Sequence, residues 1–547
     1  MGATLRALIE AFHSNPGNSN NAAAIAFALG EREEFEEALE WIERAIELDA
    51  GIVDYHDFRG RTLTALKRIE EAIASFRQSM TIAPARYIER EALADVYVTH
   101  LKDFEQAERL YYEALRLAPG RYQSYLRLAN CLTQHLSYRE ALARMKERIG
   151  PLNNLRTCLE VLSRSLYAFG RYEEAQECCH DLLGMVKGNP TALNMLALTH
   201  AELHDLPAAA RWHAQALKTN PDNFNVYQLY LTYLVRIGDL AQAQRVFREL
   251  NRRLPVLSPS FNTKPKWDGS SLRNKTVLLE SKVANGFGDE INFIRFVPSL
   301  KDMGGKVILR TRKPLSSLMR TVVGIDFVTE RFCESPSYDY EFDPLYLMLI
   351  LDVTMDSFGR DIPYMHPSPQ LSQEWRHKID SYTGGCKIGV IWKTNNLLPF
   401  NLYTDKNIPL PLLASLSGVP GVTCFSLQME GSSDLACLTT SHPIIDLARD
   451  FNDFMDTAAV ISALDLIATA DTSVAHLAGA LGKPTLLMLP YSPCWRWMLG
   501  REDSPWYPTM QLIRQPRPGD WESVVNRVVR KVREVTAAGN GHQTAKK

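Results

Sequence analysis

Three things are scarce in this chain of 547 residues. Net charge is the first: 61 lysines and arginines stand against 63 aspartates and glutamates, a balance of −2 with a pI near 6.7. Such a surface offers no broad field for a polyanion, so nucleic acid is not an expected partner. Long apolar runs are also missing. The most apolar stretch, 345–351, meets Asp352 at once, far short of the roughly 18 residues that a membrane helix needs. The amphipathic opening MGATLRALIEAFHSNPG has neither a long apolar core nor a signal-type cleavage site. A soluble, cytoplasmic protein with no membrane partner is expected. Finally, the nine cysteines include no C-x-x-C pair. An odd number, with Cys178 and Cys179 adjacent inside a helical repeat, fits a reducing compartment and buried or surface thiols rather than metal ligands.

What is plentiful is repetition. Phe35-x-x-Ala38-Leu39 recurs as Ile69-x-x-Ala72-Ile73, Phe104-x-x-Ala107, Tyr138-x-x-Ala141-Leu142, Tyr172-x-x-Ala175, Leu206-x-x-Ala209 and Leu240-x-x-Ala243. The alanines step by 34, 35, 34, 34, 34 and 34 residues, and Pro84, Pro119, Pro221 and Pro255 close units on the same beat. That period, with a small residue at the helix–helix contact, is the tetratricopeptide pattern. Alanine is required because the helices of one hairpin approach closely there, and a larger side chain would wedge them apart. Such arrays stack helix pairs into a superhelix whose usual work is to hold a protein or peptide. Asn130 is a candidate rung of a backbone-gripping ladder, but the equivalent positions are Arg164 and Leu198, so recognition by side chain or shape is expected.

The period stops after Arg252 and Arg253, and Pro255, Pro259 and Pro265 mark a connector. Beyond it the pattern changes to alternating strand and helix: a strand at 276–280, a helix with Ile291, Ile294, Phe296, Val297 and Leu300 on its apolar face, a strand at 307–309 and a helix at 314–322. The alternation pauses over 363–385, then resumes with strands at 387–392 and 422–427 and ends on a helix from 520 to about 535. Two parallel, doubly wound sheets with a cleft between them are expected.

Two strand-to-helix turns carry the candidate chemistry. In 464–490 an apolar run ends on Asp471-Thr472-Ser473, a helix with Val474, Leu477, Ala478 and Leu481 follows to Gly482, and Pro484 leads into a second strand. The loop lies at the carboxyl end of a strand, where open α/β sheets bind ligands, and the helix start offers free backbone N–H groups to a phosphate. Asp471 either caps that helix or serves a ligand, and His476 lies one turn inside, on the side of Thr472. The second turn, Ala284-Asn285-Gly286-Phe287-Gly288-Asp289, has two glycines but lacks the third glycine and the acidic partner of a dinucleotide fingerprint. Asp289 likewise reads as a helix cap or as a functional carboxylate. Each lobe thus contributes one turn with an aspartate, and in a two-lobed fold both point into one cleft.

Several blocks of the C-terminal half match a known pattern. They are Gly286-x-Gly288-Asp289 with Phe293-Ile-Arg295-Phe296-x-Pro298-x-Leu300; Ser426-Leu427-Gln428; Asp446 with Phe454-x-Asp456-Thr457-Ala458; Asp471-Thr472-x-x-Ala475-His476 through Pro484; Trp495-Arg496-Trp497; and Ser504-Pro505-Trp506-Tyr507-Pro508. This half resembles the heptosyltransferase-like glycosyltransferases of family 9, in the bacterial subgroup with N-terminal tetratricopeptide repeats, and the whole layout is similar to that of flagellin glycosyltransferases. The resemblance implies a GT-B fold of two Rossmann-like lobes. It implies Asp289 as general base and Lys406 on the donor phosphates as the two catalytic residues. It also implies donor binding by Gly286, Gly288, Gln428, Asp471, Thr472, Ser473 and His476, with no metal and no cofactor beyond the nucleotide-sugar substrate. The segment 392–400 departs from the loop usual in the subgroup, and this loop faces the nucleotide sugar.

The implied organisation is an all-α repeat array over 1–255 that binds the acceptor, a linker over 256–274, an acceptor-side lobe over 275–383 and a donor-side lobe over 384–547. The leading expectation is a protein O-glycosyltransferase acting on Ser or Thr of a protein partner held by the array. By resemblance that partner is flagellin, and a nonulosonic acid is a candidate sugar. Transfer to a lipopolysaccharide core or other glycan is the alternative enzyme. A non-catalytic scaffold with a decayed transferase domain is the third reading.

Overall fold

The computed structural model describes residues 2–32, 34–149, 154–253, 264–281, 286–330, 335–351, 353–382, 385–394, 403–439 and 443–544. Residues 256–263 of the expected linker, Ala284 and Asn285 of the glycine turn, and 395–400 of the divergent loop lie outside them. The chain divides into two compact units, 1–215 and 216–547.

The first unit is all helical. Antiparallel pairs such as Ser19–Gly30 with Phe35–Leu48, Val53–Ala65 with Ile69–Ile82, and Leu155–Ala168 with Tyr172–Met185 repeat the expected period. The recurrent alanine sits in the first turn of the second helix of each pair. Ala38, Ala72, Ala107, Ala141, Ala175 and Ala209 are all at 0% exposure, which is the close approach that the small side chain permits. Ala175→Leu is expected to destabilise the array by about 1–3 kcal/mol through overpacking, measurable as an earlier urea transition of the full chain.

In the second unit the last repeat-period pair, Phe224–Arg236 and Leu240–Arg253, packs onto the α/β part. Gln244 Nε2 donates to the carbonyls of Val353 (2.9 Å) and Met348 (3.2 Å). Gln228 Nε2 donates to the Tyr346 hydroxyl at 3.0 Å, and Arg236 Nη2 to Ser492 Oγ at 2.5 Å. Phe247 stacks on Tyr346.

Two parallel sheets follow. The first contains β1 (Thr276–Glu280), β2 (Lys306–Thr311), β3 (Phe327–Glu330) and β4 (Tyr340–Phe342) in the order β3-β2-β1-β4. The second contains β5 (Cys386–Ile391), β6 (Val422–Ser426), β7 (Ile445–Asp446), β8 (Leu466–Ala470), β9 (Thr485–Leu489) and β10 (Met510–Arg514), in the order β10-β9-β8-β5-β6-β7. Every ladder is parallel; Val277, Leu278 and Leu279 run beside Val307, Ile308 and Leu309, and Ile388 to Ile391 beside Leu466 to Thr469. The chain reverses its direction of strand addition between β1 and β4 and again between β5 and β8, and such switch points open crevices at the carboxyl ends of the strands. β8 and β9 are buried along their full length, the signature of central strands covered on both faces.

The structure corrects one expectation of fold. The stretch 363–385, where the alternation was expected to pause, contains the helix Pro369–Asp380. Ser368 caps it by accepting from Leu371 N, and Pro369 occupies the first turn, where its missing N–H costs nothing. Trp375 of this helix donates to Asp456 Oδ1 at 2.9 Å, tying it to the helix Phe454–Ala463. The closing helix is also longer than expected, Trp521–Thr544. Among the described residues, no helix is long and apolar enough to cross a membrane.

Candidate functional site

A cavity of about 660 Å³ lies at the carboxyl ends of both sheets. Its lining falls into short runs that each follow a strand. Gly286 to Asp289 come after β1 and Arg312 after β2; Lys393 and Thr394 come after β5, and Leu427 to Glu430 after β6. Asp471 to Val474 and His476 follow β8, and Cys494 and Arg496 follow β9. Phe451 to Phe454 and Thr457 follow β7, and Lys406 also lines the cavity. All nine residues expected at the site therefore line one cavity, and both aspartate-bearing turns open onto it.

The turns meet directly, because the helices Phe287–Phe293 and Ser473–Ala480 pack on each other. Gly288 makes this possible. A Cβ there would come within 2.6 Å of His476 Cδ2, so only glycine lets the first helix lie against the imidazole.

Neither aspartate is a helix cap. Gly286 is the N-cap of the first helix and Thr472 of the second, and neither side chain closes its helix. Asp289 instead forms an ion pair with Arg496. Asp471 pairs with Lys406, Nζ to Oδ2 at 2.6 Å. Burial alone would raise the Asp471 carboxyl, but the adjacent ammonium outweighs it and holds the group below its usual range. For Lys406 burial works against the charge, and Asp471 with Cys494 overcomes it. Arg496 is likewise held charged against its burial, with Cys494, Asp289 and Asp471 around it. The Thr472 side chain makes no cap bond, and Ser473 and Val474 of the first turn line the cavity, at the helix end whose dipole favours an anion.

Gln428 lines the cavity, yet its amide is committed elsewhere. Oε1 accepts from the backbone N–H of Lys393 (3.0 Å) and Trp392 (3.3 Å), and Nε2 donates to Met429 O at 3.2 Å. It braces the start of the loop after β5. Lys393 pairs with Asp434 at 2.6 Å, and Arg312 with Glu290 at 2.9 Å.

His476 is 4% exposed and sits in a buried network. Its ring stacks on Trp497, and Nδ1 lies 3.0 Å from the Tyr507 hydroxyl. That hydroxyl donates its single proton to Asn292 Oδ1 at 3.0 Å, an oxygen that also accepts from Arg295 Nη2 at 2.9 Å. Nδ1 therefore carries its own proton, and Nε2 is left as an acceptor beside Gly288. Arg295 continues the network. It donates to Phe358 O (2.8 Å), Trp506 O (2.6 Å) and the Tyr364 hydroxyl (3.1 Å), with its guanidinium over the rings of Tyr364, Trp506 and Tyr507.

Burial, reinforced by the Arg496 charge, pushes the His476 pKa down from 6.5 to about 3. Below 6.5 the unfolded imidazole binds a proton that the folded one refuses, so this contribution to stability is complete above about pH 6.5 and is lost as pH falls toward 3. His213, buried in the first unit with a pKa also near 3, adds the same sign. Acid titration of stability should show a loss of several kcal/mol across that window, at roughly 1.4 kcal/mol for each pH unit between the folded and unfolded values, and His476→Phe should shrink it while leaving the part that comes from His213.

Arg496, Arg295, Asn292 and Tyr507 were not among the expected site residues. The signal for Arg496 is in the sequence: a lone cation between two tryptophans needs a buried anionic partner, although nothing local says that the partner is Asp289.

The tetratricopeptide repeat family model matches residues 53–86 and 161–224. These segments are tetratricopeptide repeats. Over 375 residues the chain is 24% identical to protein FlbA of Caulobacter vibrioides, an alignment that covers 62% of this chain and 61% of FlbA. The chain thus spans about three fifths of the length of that curated relative. Among solved structures, a family 9 glycosyl transferase from Veillonella parvula is similar with 12% identity and a TM-score of 0.37, over 48% of this chain and 97% of that one. YrrB, a tetratricopeptide protein with an unusual peptide-binding site, is similar with 17% identity and a TM-score of 0.24, over 41% of this chain and 97% of YrrB.

Proposed function

We propose that the protein is a cytoplasmic O-glycosyltransferase that moves a sugar from a nucleotide-activated donor to Ser or Thr of a protein held by its repeats. The observation that carries the reading is the pairing at the cavity of two cations, Lys406 and Arg496, with the two aspartates of the opposed turns. An incoming phosphate competes for both cations. Once it is bound, Arg496 is drawn toward the phosphate and Asp289 is released to act as a base.

The reaction then balances simply. Asp289 takes the proton of the acceptor hydroxyl as its oxygen bonds to the anomeric carbon, and the bond from that carbon to the phosphate oxygen breaks. The electron pair leaves with the nucleotide, whose growing negative charge is taken by Lys406, by Arg496 and by the N–H groups at Ser473 and Val474. Two side-chain cations and a helix terminus can supply this stabilisation without a metal. The two sheets serve as GT-B lobes, with the acceptor side over 275–383 and the donor side over 384–547. The repeats over 1–255 select the acceptor; flagellin is the proposed target, and a nonulosonic acid is a candidate sugar.

The test is direct. The full chain incubated with flagellin and a panel of sugar nucleotides should release free nucleotide and add one sugar mass to the acceptor. Absence of turnover with every donor would leave the protein as a repeat scaffold, and transfer to glycan but not to protein would move the acceptor to another class.

A further inference from the structure

The site wall has a second side. Asp289 and Arg496 line not only the large cavity but also a smaller one of about 390 Å³. One wall of the smaller cavity is the helix Phe224–Arg236, which presents Gln228, Leu231, Thr232 and Val235 at intervals of three and four residues, a single helical face. Leu345, Met348 and Leu349, from the short helical turns after β4, line the cavity as well, and so does Trp495, next to Arg496 in the chain. The ion pair therefore lines both chambers; the larger adds the Lys406–Asp471 pair and the start of the helix Ser473–Ala480, and the smaller adds six aliphatic side chains, Leu229, Leu231, Val235, Leu345, Met348 and Leu349.

We infer that the smaller cavity binds the apolar side chain adjacent to the accepting Ser or Thr of the acceptor polypeptide, an assignment that rests on the transferase reading for what happens at Asp289. Three observations support it. Away from the Asp289–Arg496 pair, the walls give a sugar or phosphate little to bond with. Of the polar groups there, Gln228 Nε2 already donates to Tyr346 and the Thr232 hydroxyl to Gln228 O, so a buried sugar would leave hydroxyls unpaired, at a cost of about 1–3 kcal/mol each. The volume lies at the small end of ligand pockets, roughly 300–1,000 Å³, which suits one or two side chains rather than a folded partner. The end wall is the carboxylate itself, so a residue anchored in the apolar chamber holds its chain neighbour within reach of Asp289. The helix that supplies the long wall continues the repeat period, and repeats of this kind hold polypeptide.

The inference fixes a substrate preference. Acetylated, amidated peptides Ala-Leu-Ser-Leu-Ala and Ala-Asp-Ser-Asp-Ala, titrated against the full chain by fluorescence anisotropy, should differ in affinity by about tenfold in favour of leucine, the effect of burying one small apolar side chain. Thr232→Trp fills the chamber from an exposed position of the wall and should abolish the difference, whereas Thr232→Ala should keep it. Equal affinities in the unaltered chain, binding of neither peptide, or a leucine preference that survives Thr232→Trp would each overturn the assignment. Because binding is read without turnover, the two readings fail separately. The preference without transfer from any sugar nucleotide removes the transferase and keeps the chamber, and transfer without the preference does the reverse.

Discussion

Replacing Asp289 by asparagine is expected to lower the rate of sugar transfer about a thousandfold, within the range by which a positioned general base speeds a reaction. The change is nearly isosteric. The amide keeps an oxygen for the Arg496 guanidinium but can no longer take a proton from an acceptor hydroxyl. A structural role predicts something different. If the carboxylate only neutralises Arg496, asparagine leaves a buried cation without its counter-charge, and the loss appears in the melting temperature with kcat nearly intact. Rapid-quench measurement of transfer beside calorimetry of the same variant separates the two. Wild-type kcat in Asp289→Asn removes this residue from the chemistry.

The second large effect is expected at Lys406. Lys406→Met strips the buried Asp471 carboxylate, 6% exposed, of the ammonium that holds it charged. Breaking one side of a buried pair costs about 3–5 kcal/mol, because an uncompensated charge remains inside. Adding Asp471→Asn removes that charge, and the double variant should regain most of the lost stability. Nucleotide affinity is expected to behave otherwise. It falls in Lys406→Met and stays low in the double variant, since the phosphate has lost its cation in both. Recovery of nucleotide binding together with stability would reduce Lys406 to a structural counter-ion.

The helical array was legible in the chain because its signal is local and repeated. A small residue recurs at one helix contact, from Ala38 to Ala243, while most other positions vary from unit to unit. Parallel sheets were legible for a related reason: strands buried on both faces, such as Leu466–Ala470 and Thr485–Leu489, are unbroken apolar runs. The edge strands were not. Tyr340–Phe342 and Ile445–Asp446 are too short to carry a pattern, and Pro363, Pro367 and Pro369 disguised a helix start as a loop. At the site, both aspartate turns were found, because a strand that ends in glycine or small hydroxyl residues before a helix is a contiguous signal. Lys406 was reached only through the resemblance, and neither its pairing with Asp471 nor that of Arg496 with Asp289 was found. Lys406 lies 65 residues before Asp471 and Arg496 lies 207 after Asp289, and only the folded chain brings such distant charges to one point.

The guanidinium of Arg295 has a consequence for movement. It belongs to the turn that follows the first-sheet helix Phe287–Phe293, and it is bonded to the carbonyl of Trp506, which leads into β10 of the second sheet, as well as to Phe358 O and the Tyr364 hydroxyl. Sliding one half of the molecule past the other would forfeit these bonds and three ring contacts together. Rotation about the same point displaces them least. If the halves part to admit a nucleotide or release one, they should swing as a clamshell about Arg295 rather than shear.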